Sequence, residues 1–213
     1  MIPPLEGRSL GARGAVMVET VARYRLVTLQ LLSAFFPAES PDALRMLLSR
    51  LVADGWLAKH PLRGHEHYYA LGPRSFRSLD VPGERPHRRR QGFGVEGVIQ
   101  HLTIGFLCAG RGMLRLRADE FAEHYPGHHR PGLPSQNYLI NPDGSDSTLY
   151  WAIVDHATAP SAFARKVGKA VATRFELPAF RERMLAGEFA VAILTGNEAK
   201  AARIEAALAG SAS

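Results

Sequence analysis

The sequence predicts an α/β (α+β) protein in two parts. The first part is mainly helical and closes on a short hairpin; the second is a small α/β domain with a central mixed sheet. Three observations predict this. Apolar residues recur at helical spacing in three short segments before Gly55. A stretch rich in Pro, Gly and Arg, "VPGERPHRRRQG" at 81–92, then interrupts the pattern. Beyond it the order strand–strand–helix–strand–helix can be read from alternating apolar runs.

Composition bounds the rest. The chain has 213 residues, 46% hydrophobic and 22% charged, which is an ordinary folded composition with length enough for a core. Its one cysteine, Cys108, allows no internal disulfide and fits a reducing compartment, so a cytoplasmic location is expected. Cys108 itself reads as a packed thiol. No window holds 18 apolar residues, so no membrane span is expected. "MIPPLEGRSLGARG" lacks the continuous apolar core of a secretory signal and reads as a flexible arm over 1–14. The net charge of +6 is local: residues 1–92 carry 14 Lys and Arg against 8 Asp and Glu, and residues 93–213 carry 12 of each. A basic excess confined to one half is the footprint of a polyanion binder.

The elements of the first part, 15–80, follow in order. "AVMVETVARYRLVT" places Val18, Val21 and Ala22 on one helical side. "TLQLLSAFF" begins on Thr28 as N-cap and stops at Pro37. "SPDALRMLLSRLVADGWL" begins on Ser40 as N-cap with Pro41 at the first helical position. Leu44, Leu47, Leu48 and Leu51 form its buried stripe, and the opposite face holds Asp42, Arg45, Met46, Ser49 and Arg50. Gly55 ends this helix. "WLAKHPLRGHEHYYAL" then reads as two strands around a turn at 61–64, with Lys59, His60, Arg63, His65 and His67 along the hairpin.

Three short helices followed by a basic hairpin is the pattern of a winged helix-turn-helix. In that arrangement the third helix enters the major groove. Arg45 and Arg50 there reach guanine edges or phosphates, and Ser49 reaches either. Lys59, Arg63 and His65 of the hairpin lie on the adjacent backbone, and Arg88, Arg89 and Arg90 of the 81–92 linker add a flexible electrostatic clamp. The expected partner is double-stranded DNA. The competing reading is a winged helix used for protein contacts.

The second part, 93–210, opens on "FGVEGVIQHLTIGFLCAG", a helix whose apolar residues are Val95, Val98, Ile99, Leu102, Phe106 and Leu107. "GMLRLRADEFAEHYP" reads as a short strand and a short helix. "SQNYLINPDG" and "STLYWAIVDHAT" read as paired strands about a turn at 141–147. "SAFARKVGKAVATRF" is a helix, "EFAVAILTG" a buried strand and "NEAKAARIEAALAG" a closing helix. The clusters His124, His128, His129 and His65, His67 lack zinc-site spacing and read as solvated loop histidines. No phosphate-binding loop, dinucleotide fingerprint or Ser-His-Asp signature occurs.

With "VARYRLVT", the hairpin block, "MLRLRADEF", "INPDG", "WAIVDHAT" and "FAVAILTG" in this order, the chain resembles the replication-relaxation family of plasmid and mobile-element proteins. The resemblance spans about residues 16–208. It implies a winged helix joined to a domain similar to the PD-(D/E)xK nucleases, and a role in replication, relaxation or transfer of extrachromosomal DNA. It also implies plasmid replication or transfer proteins as partners, and a second domain available for dimerisation as a homodimer or for docking. Asp143 of "PDG" matches the first acidic position, Asp155 of "IVDHAT" an acid on the second strand, and Lys166 or Lys169 the lysine. Where the family often carries a further acid, this chain has Ile153. Losing a carboxylate weakens the hold on a hard cation, so a non-cleaving domain without metal or other cofactor is expected. The alternatives are a Mg²⁺-dependent endonuclease targeted by its winged helix, and a transcriptional repressor.

Overall fold

A computed structural model describes residues 10–78, 93–144, 147–156 and 158–210. The chain divides into two compact units, Met1–Arg111 and Gly112–Ser213. Among the described residues no helix is long and apolar enough to cross a membrane.

The first unit runs α1 (Ala12–Tyr24), β1 (Leu26–Thr28), α2 (Leu29–Phe35), α3 (Pro41–Ala53), β2 (Leu57–Pro61), β3 (His67–Leu71), α4 (Pro73–Ser78) and α5 (Val95–Arg111). Helix α1 begins within the stretch read as an arm, and it stops because Arg25 takes a left-handed φ of 73°. The next three residues are not helical. Leu26–Thr28 is a fully buried strand that pairs antiparallel with β3, so the sheet order is β1-β3-β2. The Thr28 hydroxyl accepts from Leu31 N at 3.2 Å and starts α2; the Ser40 hydroxyl accepts from Ala43 N at 3.2 Å and starts α3. Each cap satisfies an end-of-helix donor that has no partner within the helix. Leu44, Leu48 and Leu51 are buried as expected, while Leu47 is only partly so.

Gly55 closes α3 at φ +74°, and the chain returns past it at Gly72. A Cβ on Gly72 would strike the Gly55 carbonyl oxygen and lie 2.9 Å from Leu57 N, so only glycine fits there. Trp56 is buried at this close approach, its carbonyl accepting from Gly72 N, with Arg74 stacked 4.4 Å from its ring centre. In the hairpin, Pro61 completes β2, and the turn is carried by Leu62–Glu66 instead of 61–64: Leu62 N donates to Glu66 O at 2.8 Å.

Helix α5 belongs to the first unit, so the boundary falls at Arg111 and Gly112 rather than at 81–92. It packs on α2 and β1 through Val98, His101, Ile104, Gly105 and Cys108. A Cβ on Gly105 would come within 2.6 Å of Leu31, so the close approach of α5 to α2 depends on that glycine. Val95, Ile99 and Phe106, three of the apolar residues read on this helix, lie exposed. The helix is apolar on several sides, and its spacing alone does not choose which side packs.

The second unit runs β4 (Leu114–Arg115), α6 (Ala118–His124), a 3-10 turn (Pro126–His128), β5 (Tyr138–Ile140), β6 (Leu149–Val154), α7 (Pro160–Phe175), α8 (Pro178–Leu185), β7 (Phe189–Leu194) and α9 (Glu198–Ala209). Its four-stranded sheet has the order β4-β5-β6-β7; the first three strands are antiparallel and β6–β7 is parallel, so the sheet is mixed as expected. Strand β7, read as buried, is only partly buried along its whole length, and it forms the edge of the sheet. Phe163, Val167 and Ile204 of α7 and α9 pack on Ile153, Val191 and Ile193 of the parallel pair. Phe121, Tyr138, Leu149 and Phe180 make a second, aromatic cluster.

Candidate nucleic-acid interface

Burying Leu44, Leu48 and Leu51 turns the opposite side of α3 to solvent. Asp42, Arg45, Met46, Ser49 and Arg50 are all exposed there, Met46 by 75%. Arg45 pairs with Asp42 one turn earlier, both at the surface. The pair orients the guanidinium and cancels part of its charge.

The hairpin follows α3, and β2 packs against that helix. Lys59 of β2 lies directly opposite Tyr69 of β3, so their side chains share one side of the sheet. Burial pushes the Tyr69 hydroxyl up from its ordinary pKa, and the charge of Arg45 opposes that rise. Tyr69 thus has Lys59 as its cross-strand neighbour and feels the charge of Arg45 from α3. Sequence spacing did not single it out, because its pairing with Lys59 exists only through the β2–β3 register. Arg63 and His65 are exposed in the Leu62–Glu66 turn. Glu66 of that turn accepts from Gln30 of α2 at 3.0 Å, which ties the hairpin tip to the helical layer. Arg88, Arg89 and Arg90 lie outside the described residues.

The second set of expected residues does not converge. Asp143 is exposed in the turn that follows β5, with Gly144 at φ +69°. Asp155 follows the far end of β6. Tyr138 pairs with Trp151 and Leu139 with Tyr150, so β5 runs toward the start of β6. All six residues of β6 therefore lie between the two carboxylates, roughly 20 Å of strand. Lys166 and Lys169 are exposed on α7.

Asp155 takes a different lysine. Its carboxylate pairs with Lys200 of α9, accepts from Thr158 N at 3.0 Å and accepts from the Thr195 hydroxyl at 3.4 Å. The Asp155 side chain is 2% exposed. These bonds fasten the carboxyl ends of β6 and β7 to the first turn of α9. Ile153, at the position where the resemblance implies a further acid, packs in the α7–α9 core. Among the described residues no three His, Cys, Asp or Glu side chains gather as a metal site would require.

His124 and His129 are exposed, but His128 is buried, with its ring edge-on to Phe180 at 4.6 Å. Burial, with the charge of Arg183 adding to it, holds the His128 pKa below the ordinary histidine value. The loop histidines thus divide, and one of the three is core.

Against these features, no protein-family model, no curated protein and no solved structure matches the chain.

Proposed function

We propose that this chain is a DNA-binding protein. In this reading the first unit is a winged helix-turn-helix whose α3 enters the major groove while the β2–β3 hairpin rests on the neighbouring phosphates. The observation that carries it is a set of exposed basic residues on two elements that pack together, Arg45 and Arg50 on α3 and Lys59 and Arg63 on the β2–β3 hairpin. The concentration of the whole net charge within residues 1–92 supports it.

The second unit is, in the same reading, a nuclease-like domain that does not cleave. The distance between Asp143 and Asp155 and the engagement of Asp155 by Lys200 support this. The resemblance to replication-relaxation proteins extends the proposal to plasmid or mobile-element DNA, in replication, relaxation or transfer.

Fluorescence anisotropy of the full chain with labelled duplex DNA tests the reading. Binding is expected, with affinity falling steeply and log-linearly in salt. Absence of binding at low salt overturns it. Metal-dependent nicking that Asp143→Ala abolishes replaces the non-cleaving reading with the endonuclease alternative.

A further inference from the structure

We propose that the outward face of α5 is a two-fold contact with a second copy of this chain, the two helices running antiparallel. The helix spends one apolar side inside its own unit, through Val98, Ile104 and Cys108. It still leaves Val95 75%, Ile99 45% and Phe106 45% exposed. At about 100° per residue, Ile99, Phe106 and Gly110 fall on a single stripe directly opposite the packed side, and Thr103 lies between them. The stripe is apolar at its two large positions and small at the others; a Cβ on Gly110 would meet nothing within 4 Å. Small residues of this kind let two helix backbones approach to about 8–10 Å.

Charge selects the occupant and its direction. Glu96 sits in the first turn and Arg111 in the last, both exposed and neither in an ion pair among the described residues. Setting Ile99 of one copy against Phe106 of the other centres the contact between Leu102 and Thr103. Glu96 then stands within two residues of Arg111 of the second copy, and the symmetry repeats this at the other end. A parallel pairing would set Glu96 on Glu96 and Arg111 on Arg111. One helix therefore carries both halves of a self-complementary surface, as a two-fold contact requires. The inference does not rest on DNA binding, although a two-fold dimer would present α3 twice.

Sedimentation equilibrium of the full chain tests it. A reversible dimer is expected that weakens as salt rises. Phe106→Asp, or Ile99→Asp where the first variant loses its circular dichroism, is expected to raise the dimer Kd at least about tenfold. Glu96→Arg and Arg111→Glu are each expected to weaken the dimer, and the double reversal to recover it to within about threefold. A chain that stays monomeric at about 100 μM overturns the proposal and leaves the stripe to another protein or another segment. A dimer indifferent to both aspartate variants overturns it equally. A double reversal no better than the single ones overturns the antiparallel pairing.

Discussion

The guanidinium of Arg174 lies 3.4 Å from the centre of the Trp151 ring; the residue is 1% exposed and, among the described residues, forms no ion pair with a carboxylate. It donates through Nε to the Tyr138 hydroxyl at 2.9 Å and through Nη1 to the Ala170 carbonyl at 3.0 Å. Burial holds its pKa below the ordinary arginine value, yet the group stays charged because that value is so high. The cation is stabilised by aromatic faces and dipoles, which makes it a packing element as well as a charge.

Arg174→Ala is therefore expected to cost the second unit about 3 kcal/mol, from the cavity and the lost donors together. Arg174→Met keeps most of the volume on Trp151 and is expected to cost about 1 kcal/mol, chiefly the hydrogen bond to Tyr138. Urea unfolding followed by tryptophan fluorescence reads both. Equal losses for the two variants would show that packing on Trp151 contributes nothing.

Acid should loosen the same aromatic cluster. The folded pKa of His128 lies below its unfolded value of about 6.5, so the unfolded chain binds the extra proton first. Its contribution to stability is complete above that unfolded value and is lost as pH falls toward the folded one. Melting temperature is expected to drop from pH 7.5 to 5.5, and less so in His128→Phe, which keeps an aromatic ring against Phe180. His60 is also held low by burial and shifts stability in the same direction, so the difference between parent and variant, not the parent alone, reports His128. An identical drop in both proteins refutes this.

Asp42 restrains Arg45, and removing that restraint has a sign. Asp42→Asn frees the guanidinium and deletes one negative charge from the α3 face. DNA affinity at low salt is expected to rise severalfold, with the gain shrinking as salt is added. Lys59→Ala is expected to lower the slope of log affinity against log salt by about one. Looser binding by Asp42→Asn would mean that the carboxylate positions Arg45 more than it neutralises it.

Two glycines should respond oppositely to the same change. Gly72→Ala forces a methyl group into the Gly55 carbonyl and the Leu57 backbone and is expected to cost about 3 kcal/mol or more. Gly168, exposed within α7 with nothing within 4 Å of its missing Cβ, is expected to gain about 0.5–1 kcal/mol as alanine. Thermal unfolding of the two variants checks the pair, and matching signs would contradict it.

What could be read from the sequence was set locally. Thr28 and Ser40 cap helices because a cap needs only the next three residues, and both caps form as expected. The leucine stripe of α3 and the mixed sheet of the second unit were legible for the same reason. Strand β1 was not: Leu26–Thr28 continues a helical-looking segment, and its partner Ala70 is more than forty residues away. The packed face of α5 was hidden because apolar residues surround the helix. The acidic positions failed at a longer range still. Asp155 and Asp143 are close in sequence but separated by the β5–β6 register, while Lys200, which does meet Asp155, lies forty-five positions later.

That β7 pairs parallel to β6 also sets an order of events during synthesis. The antiparallel strands β4, β5 and β6 are complete once Val154 has emerged, but the free side of β6 has no mate until Phe189–Leu194 follows the two intervening helices. A nascent chain halted before Phe189 holds an unpaired strand edge, the surface on which chains add to one another. The last pairing to form is also a non-local one, which is the slow kind. The sheet of the second unit therefore cannot close on that side until Phe189–Leu194 has been made, so the edge of β6 stays open to other chains for as long as the synthesis of the intervening residues takes.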